Sequence, residues 1–440
     1  MKGALSNQAD QEAASPRATD DAPASRPEPE LSRPSRWERL LTHRRLPLIV
    51  AFIAVVLALP ALTVGLEADD YFLRVNLLKM EQFPDLVSPG WDIFAFSYGE
   101  PERVHRLMDA GIAPWWSFPD LKLAFCRPLS SISHWLDFQL WPDSMPLMHA
   151  HSLLWFALFV AGAAVFYRRT MGLTVVAGLA ALLFALDDGH ANPAGWIAGR
   201  NTLLAATFGI WCLAAHDAWR RSQWRWGAVI APLLFVLALL SAEAGVATLA
   251  YLVPYALFLE RGNFKRRAAG LAPYLVLLVC WRIVWAARGY GVEGAGLYID
   301  PLGSPLHFAQ AVITIAPILL MGQWALPPSD LYAFYDVINT HLAPIVWAVA
   351  VIFLGFAALV MRPVLRGEPL AKFWATGMLL SLLPICAMAG FPMDRLLLFV
   401  SIGAIGLLAM FLQRVWRARK APRGERPRWW RCTAALAMVF

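Results

Sequence analysis

Glu67-Ala68-Asp69-Asp70 follows the first long apolar run of the chain, Leu46 to Leu66, which carries no charge. Carboxylates are costly at membrane depth, and beside a span they mark sites of chemistry. A carboxylate within reach of an attacking hydroxyl can take its proton as general base, which makes Asp69 or Asp70 the candidate catalytic group. Asp is also a favoured N-cap, so the same cluster suits closing one span and opening the next helix. Successive helical residues point about 100° apart, so one of the pair would face a site while the other caps.

Further polar residues lie in or beside apolar runs in separated parts of the chain. They are His149 and His151, then Asp187, Asp188, His190 and Arg200, then Glu243, Arg282, and Asp394 with Arg395. Taken singly, each reads equally as a helix cap, a satisfied core group or an interfacial anchor. Together they fall on one side of the membrane in the topology derived below. A guanidinium grips two phosphate oxygens at once, so Arg395, Arg200 and Arg282 are the candidates for binding a phosphate. Histidines beside a carboxylate can also hold a divalent metal. His149, His151 and His190 with an Asp are its conceivable ligands, although no His-x-x-x-His spacing supports a metal site.

The elements that position these groups follow from composition. Hydrophobic residues make up 58% of the 440 and charged residues 16%, with a mean hydropathy of +0.51. A soluble domain has about 25% charged residues, so this chain is built for lipid. Its length holds about 10–12 spans of about 20 residues and one large loop. The net charge of +7 points to basic cytoplasmic loops rather than to nucleic acid. The five cysteines are odd in number, scattered and without a CxxC, which argues against a disulfide framework and a zinc site.

Residues 1–36 are rich in Ala, Ser, Pro and acids and read as a disordered cytoplasmic tail. Arg39, Arg44 and Arg45 precede the first span, which puts the N-terminus inside and Asp69 and Asp70 outside. Residues 67–148 form an external first loop that begins with an amphipathic helix. Apolar runs follow near 152–167, 171–186, 196–215, 227–242, 244–259 and 268–287. Basic clusters at Arg168/Arg169, Arg220 to Arg225 and Arg261 to Arg267 fall inside at each alternate turn. If 308–325 crossed fully, the basic turn Arg362 to Lys372 would fall outside. Residues 288–342 are therefore expected as one external, flap-like segment, with 308–325 re-entrant or interfacial. Spans near 343–361, 373–390 and 396–412 then restore the rule, and the chain ends inside a further apolar run. The fold expected is an all-α, multi-span integral-membrane bundle spanning 37–440.

The run RPLSSISHWLDFQLW, Arg127 to Trp141, followed by His149 and an apolar span, resembles the first-loop pattern of GT-C fold integral-membrane glycosyltransferases. The likeness is greatest to the O-mannosyltransferase-like proteins that often carry tetratricopeptide repeats, and more distant to the lipid A aminoarabinose transferases. The matching positions are Asp69/Asp70, Arg127-Pro128-Leu129, Asp137 and His149. HANPAGWIAGRNTLLAA then matches at His190, Trp196, Gly199, Arg200 and Asn201. Glu243 resembles the Glu of a Lys-Glu pair, and Asp394-Arg395 through Ser401-x-Gly403 resembles an acid-Arg motif. The chain departs from the pattern at Asp187, Asp188, Asn192 and Ala242, and no repeat domain follows.

This resemblance implies transfer of a sugar from a polyprenyl-phosphate donor to a protein, lipid or glycan acceptor. The site would face the non-cytoplasmic side of an inner or plasma membrane, in the cell envelope. Two other readings fit the composition. One is a transporter or flippase of a lipid-linked solute, against which stand the lack of an internal repeat and the long loop after the first span. The other is a GT-C-like membrane protein without activity.

Overall fold

The computed structural model describes residues 35–296, 298–324, 329–332, 342–388 and 393–420. The expected tail 1–36 therefore lies almost wholly outside the described residues, as do the end of the chain from 421 and parts of the 288–342 segment. Among the described residues, seven helices are long and apolar enough to cross a membrane. They are Leu46–Thr63, Met145–Met171, Phe264–Ala287, Pro305–Trp324, Leu342–Gly367, Pro369–Cys386 and Leu398–Lys420.

An eighth is reached if Asp188–Gly195 and Arg200–Ser222 count as one span, bent by 119°. That break has a cause in the sequence. Pro193, Gly195 and Gly199 interrupt the helix, and Trp196 between them adopts an extended conformation (φ −103°, ψ 121°). Three shorter apolar helices, Val175–Ala185, Gly227–Ser241 and Glu243–Leu259, occupy runs expected to be full spans. The expected 10–12 spans thus counted these three, none of which has the 18 residues of a full crossing.

The helices pack through small residues and an aromatic centre. The Phe373 and Trp374 rings meet at 4.6 Å, tilted by 59°, and Tyr167 lies 5.3 Å from Trp374. Tyr167 Oη donates to the Ile402 carbonyl (2.7 Å) and Tyr251 Oη to the Phe399 carbonyl (2.5 Å). The Gly403 N–H in turn donates to Tyr251 Oη (2.9 Å). A Cβ at Gly403 would sit 2.6 Å from the Trp374 carbonyl oxygen and 2.9 Å from Tyr251 Oη. Small residues let membrane helices approach this closely. Gly403→Ala is therefore expected to destabilise the fold by about 1–3 kcal/mol, read as a lowered thermal unfolding midpoint in detergent. An unchanged midpoint would contradict the contact.

One end of the bundle gathers basic residues. Arg168 donates to the His43 and Arg44 carbonyls, Arg169 pairs with Asp217 at 2.8 Å, and Arg220 pairs with Glu260. The opposite end carries Asp69 and residues 67–148. That first loop contributes the helices Asp69–Leu77, Pro101–Asp109 and Pro128–Leu140.

It also contributes two strands to a small sheet that the all-α expectation missed. β1 (Ala95–Tyr98) and β2 (Lys122–Ala124) pair antiparallel, and β2 pairs antiparallel with β3 (Gly291–Glu293) in the register Ala124↔Gly291. Strands of three and four residues are too short to show an alternating pattern.

The start of the expected flap is consequently pinned rather than loose. β3 is held by β2, and Tyr290 Oη donates to Asp92 Oδ1 (2.9 Å). Gly289, Gly294 and Gly296, near the start of this segment, have φ of 76°, 73° and 65° and turn the chain into and out of β3. Further on, Pro305–Trp324 is one continuous helix with the length and composition of a span. Its flanks are nevertheless tied to the Asp69 end of the bundle. The Ile299 N–H donates to the Ala387 carbonyl (2.7 Å), and Gln323 Nε2 donates to Asp187 Oδ2 (2.9 Å).

Candidate functional site

Between the sheet and the bundle lies a cavity of about 830 Å³. Asp69, Arg127, Glu243, Arg282 and Arg395 all line it, brought from five separated parts of the chain. Apolar and aromatic side chains complete the walls, among them Leu278, Val279 and Trp281 from one helix and Pro384 and Ile385 from another.

Asp69 and Asp70 open the helix Asp69–Leu77 and point differently. Asp69 faces the cavity, where it stays accessible although protein surrounds it. Burial pushes its carboxyl above the usual carboxylate range, while Arg395 and then Arg127 pull it back. Asp70 is buried and holds the turn together. Its Oδ1 accepts from the Ala198 N–H (2.7 Å) and its Oδ2 from the Glu67 N–H (2.9 Å). Burial outweighs these bonds and pushes its pKa up to about 6. Ala68, immediately before the pair, has a φ of +45°. Such a non-glycine conformation costs about 1–3 kcal/mol and tends to mark functional turns.

The positive wall is built from three arginines. Arg127 ends the loop before Pro128–Leu140, lies over the Phe125 ring at 4.2 Å and donates through Nε to Glu243 Oε2 (2.9 Å). Glu243 Oε1 also accepts from the Cys126 N–H (3.0 Å), so its carboxylate fixes the loop that ends at Arg127. Arg282 lies over Trp285 at 4.3 Å, and Arg395 lies over Trp196 at 4.6 Å.

Arg200, expected on the phosphate, lies outside the cavity. It is fully buried and spent on other groups. It pairs with the equally buried Asp137 and donates to Ser152 Oγ (2.9 Å) and the Met148 carbonyl (2.7 Å). Asp137 also meets His151 Nδ1 at 2.6 Å. This group joins the first loop to two helices of the bundle and sits behind the site. His149 Nε2 bonds the Gly65 carbonyl (2.8 Å), and His190 Nε2 lies 3.0 Å from Ser401 Oγ. Asp394 accepts from both the N–H (3.0 Å) and the Oγ–H (2.7 Å) of Ser329. The three histidines therefore serve three different elements. Among the described residues no group of three His, Cys, Asp or Glu is placed to hold a metal ion.

Three polar wall residues, Tyr298, Lys122 and Glu293, were not among the sequence candidates. Tyr298 faces Arg127, Arg395, Glu243 and Asp69, and burial pushes its phenol pKa up against the two arginines. Lys122 on β2 pairs with Glu293 on β3 at 3.5 Å, and both side chains line the cavity. Nothing local in the sequence marks any of the three, since Lys122 and Glu293 are brought to the cavity by the pairing of β2 with β3 and Tyr298 follows β3.

Comparison with protein-family models, with curated proteins and with solved structures returns no match for this chain.

Proposed function

We propose that the chain is a membrane glycosyltransferase that moves a sugar from a polyprenyl-phosphate donor to an acceptor hydroxyl, as GT-C enzymes do. The observation that supports this most is the shared cavity of Asp69, Arg127 and Arg395 beside an apolar wall. A general base, fixed positive charge and room for a hydrocarbon tail are the three things this reaction needs.

In this reading the acceptor oxygen attacks the anomeric carbon, and the bond from that carbon to the phosphate oxygen breaks. Asp69 takes the hydroxyl proton. Arg395 and Arg127 hold the departing phosphate, whose charge develops as the bond opens. Arg282 adds a third cation on the side of the apolar wall. The site faces the side of the membrane opposite the basic end of the bundle, in keeping with the positive-inside rule.

The test is sugar transfer by the protein in nanodiscs, from a panel of polyprenyl-phosphate sugars to peptide, glycan and lipid acceptors. Wild type is expected to transfer at least one sugar. Arg395→Ala is expected to lower turnover on the order of 10²-fold, the usual cost of removing one group that stabilises a developing oxyanion. Movement of lipid-linked sugar across the bilayer with no new glycosidic bond would overturn the reading.

A further inference from the structure

Arg395 sits on a three-residue helical turn, Asp394–Leu396, and long arginine side chains do not hold one position unaided. What lies beneath it is Trp196. The guanidinium carbon is 4.6 Å from the centre of the indole, within the range of a favourable cation–π contact. The indole is itself fixed. Its Nε1–H donates to the Glu67 carbonyl (3.2 Å), two residues before Asp69. From below, Gly199 leaves room for the ring, since a Cβ there would meet Trp196 Cε3 at 2.9 Å and the Trp196 carbonyl oxygen at 3.2 Å. One side chain thus ties the turn before the helix that carries the carboxylate to the arginine facing it, across the bend between Asp188–Gly195 and Arg200–Ser222.

We infer that Trp196 is a positioning residue, a plate seated on Gly199 and tied to the Asp69 segment, whose ring face holds the Arg395 guanidinium opposite Asp69 for a phosphate-bearing substrate. The inference rests on the proposed function for the substrate but not for the geometry. Its ring, rather than its bulk, carries the role. Phe at this position keeps a ring face and loses the tether to Glu67. Leu loses both. Gly199→Ala leaves the indole in place chemically but lifts it.

The experiment uses the full chain in nanodiscs with Trp196→Phe, Trp196→Leu and Gly199→Ala. The first readout is the rate at which phenylglyoxal labels Arg395, followed by peptide mass spectrometry and normalised to Arg282. It requires no activity. Arg395 is expected to label on the order of ten-fold faster in Trp196→Leu, several-fold faster in Gly199→Ala and within about three-fold of wild type in Trp196→Phe, as the loss of one cation–π contact implies.

The second readout is the KM for the polyprenyl-phosphate sugar against kcat. Trp196→Leu should raise KM and lower kcat together, and Trp196→Phe should restore most of both. Unfolding midpoints are measured in parallel, and Trp196→Met replaces the Leu variant where that one does not fold. Equal labelling of Arg395 in wild type and in the folded Leu or Met variant would overturn the inference, as would Phe and Leu variants that behave alike. If no variant transfers sugar, wild type included, the proposed function fails while the labelling arm still decides the role of Trp196.

Discussion

Asp69→Asn is expected to lower sugar transfer by about 10²–10⁴-fold, the span of general-base contributions, with the unfolding midpoint unchanged. Asp70→Ala is expected to do the reverse. It leaves the buried Ala198 N–H without its acceptor, which costs about 1–3 kcal/mol, and activity should fall only with the folded fraction. The two carboxylates also differ in their pH signatures. In the proposed reaction Asp69 acts as its anion, and burial raises its pKa. Transfer should therefore fall as the pH drops through a value above the ordinary Asp range, and this limb should vanish in Asp69→Asn.

Asp70 has a folded pKa of about 6 against 3.8 for a free side chain. The folded state thus binds the proton more tightly, so the stability Asp70 contributes is fully present below the free value and declines as the pH rises through about 6. The penalty of Asp70→Ala should shrink over that same window. Rate–pH profiles and unfolding midpoints of the three proteins test both claims. Near-normal turnover in Asp69→Asn, with turnover lost in a stable Asp70→Ala, would exchange the two roles.

The second large effect lies behind the site. Arg200→Ala strips the guanidinium from the buried carboxylate of Asp137, whose side chain, like that of Arg200, has no exposed surface, and leaves it only the His151 ring. Removing one member of a buried pair costs about 3–5 kcal/mol because the remaining charge is left without compensation. The expected result is a protein that fails to survive purification or melts many degrees lower. Removing both charges, with Asp137→Leu added to Arg200→Met, should recover part of the loss. An Arg200→Ala protein as stable as wild type would mean that His151 alone suffices to hold Asp137. The contrast with Arg395→Ala is informative, since that change is expected to remove turnover and leave the fold intact.

These two arginines show what could be read from sequence. Both stand beside apolar runs, and both were assigned to a phosphate by residue type. Only the fold reveals that Asp137 and Ser152 already occupy Arg200, while Arg395 lies open over an aromatic ring. Asp69 and Asp70 were visible because charge directly after an uncharged run is costly, and their separation into two roles follows from helical geometry. The helical, multi-span character was legible from hydropathy alone. The span count was not, because Val175–Ala185 and Gly227–Ser241 are as apolar as a span yet shorter. The sheet was illegible for a different reason. Lys122–Ala124 has no periodicity of its own, and its existence depends on a partner strand far along the chain.

That partner strand governs when the cavity can exist. β3 follows the helix Phe264–Ala287, and it meets β2 only after that helix has been threaded into the bilayer. Arg395 arrives later still, on the turn before Leu398–Lys420. A nascent chain that has inserted its first helices therefore displays Asp69 with Arg127 nearby but without Arg395 and without a closed wall. Non-local pairing of this kind is slow and comes last in assembly. Order of assembly thus works as a safeguard in the proposed reaction: a half-inserted protein carries Asp69 but not the chamber in which it would act.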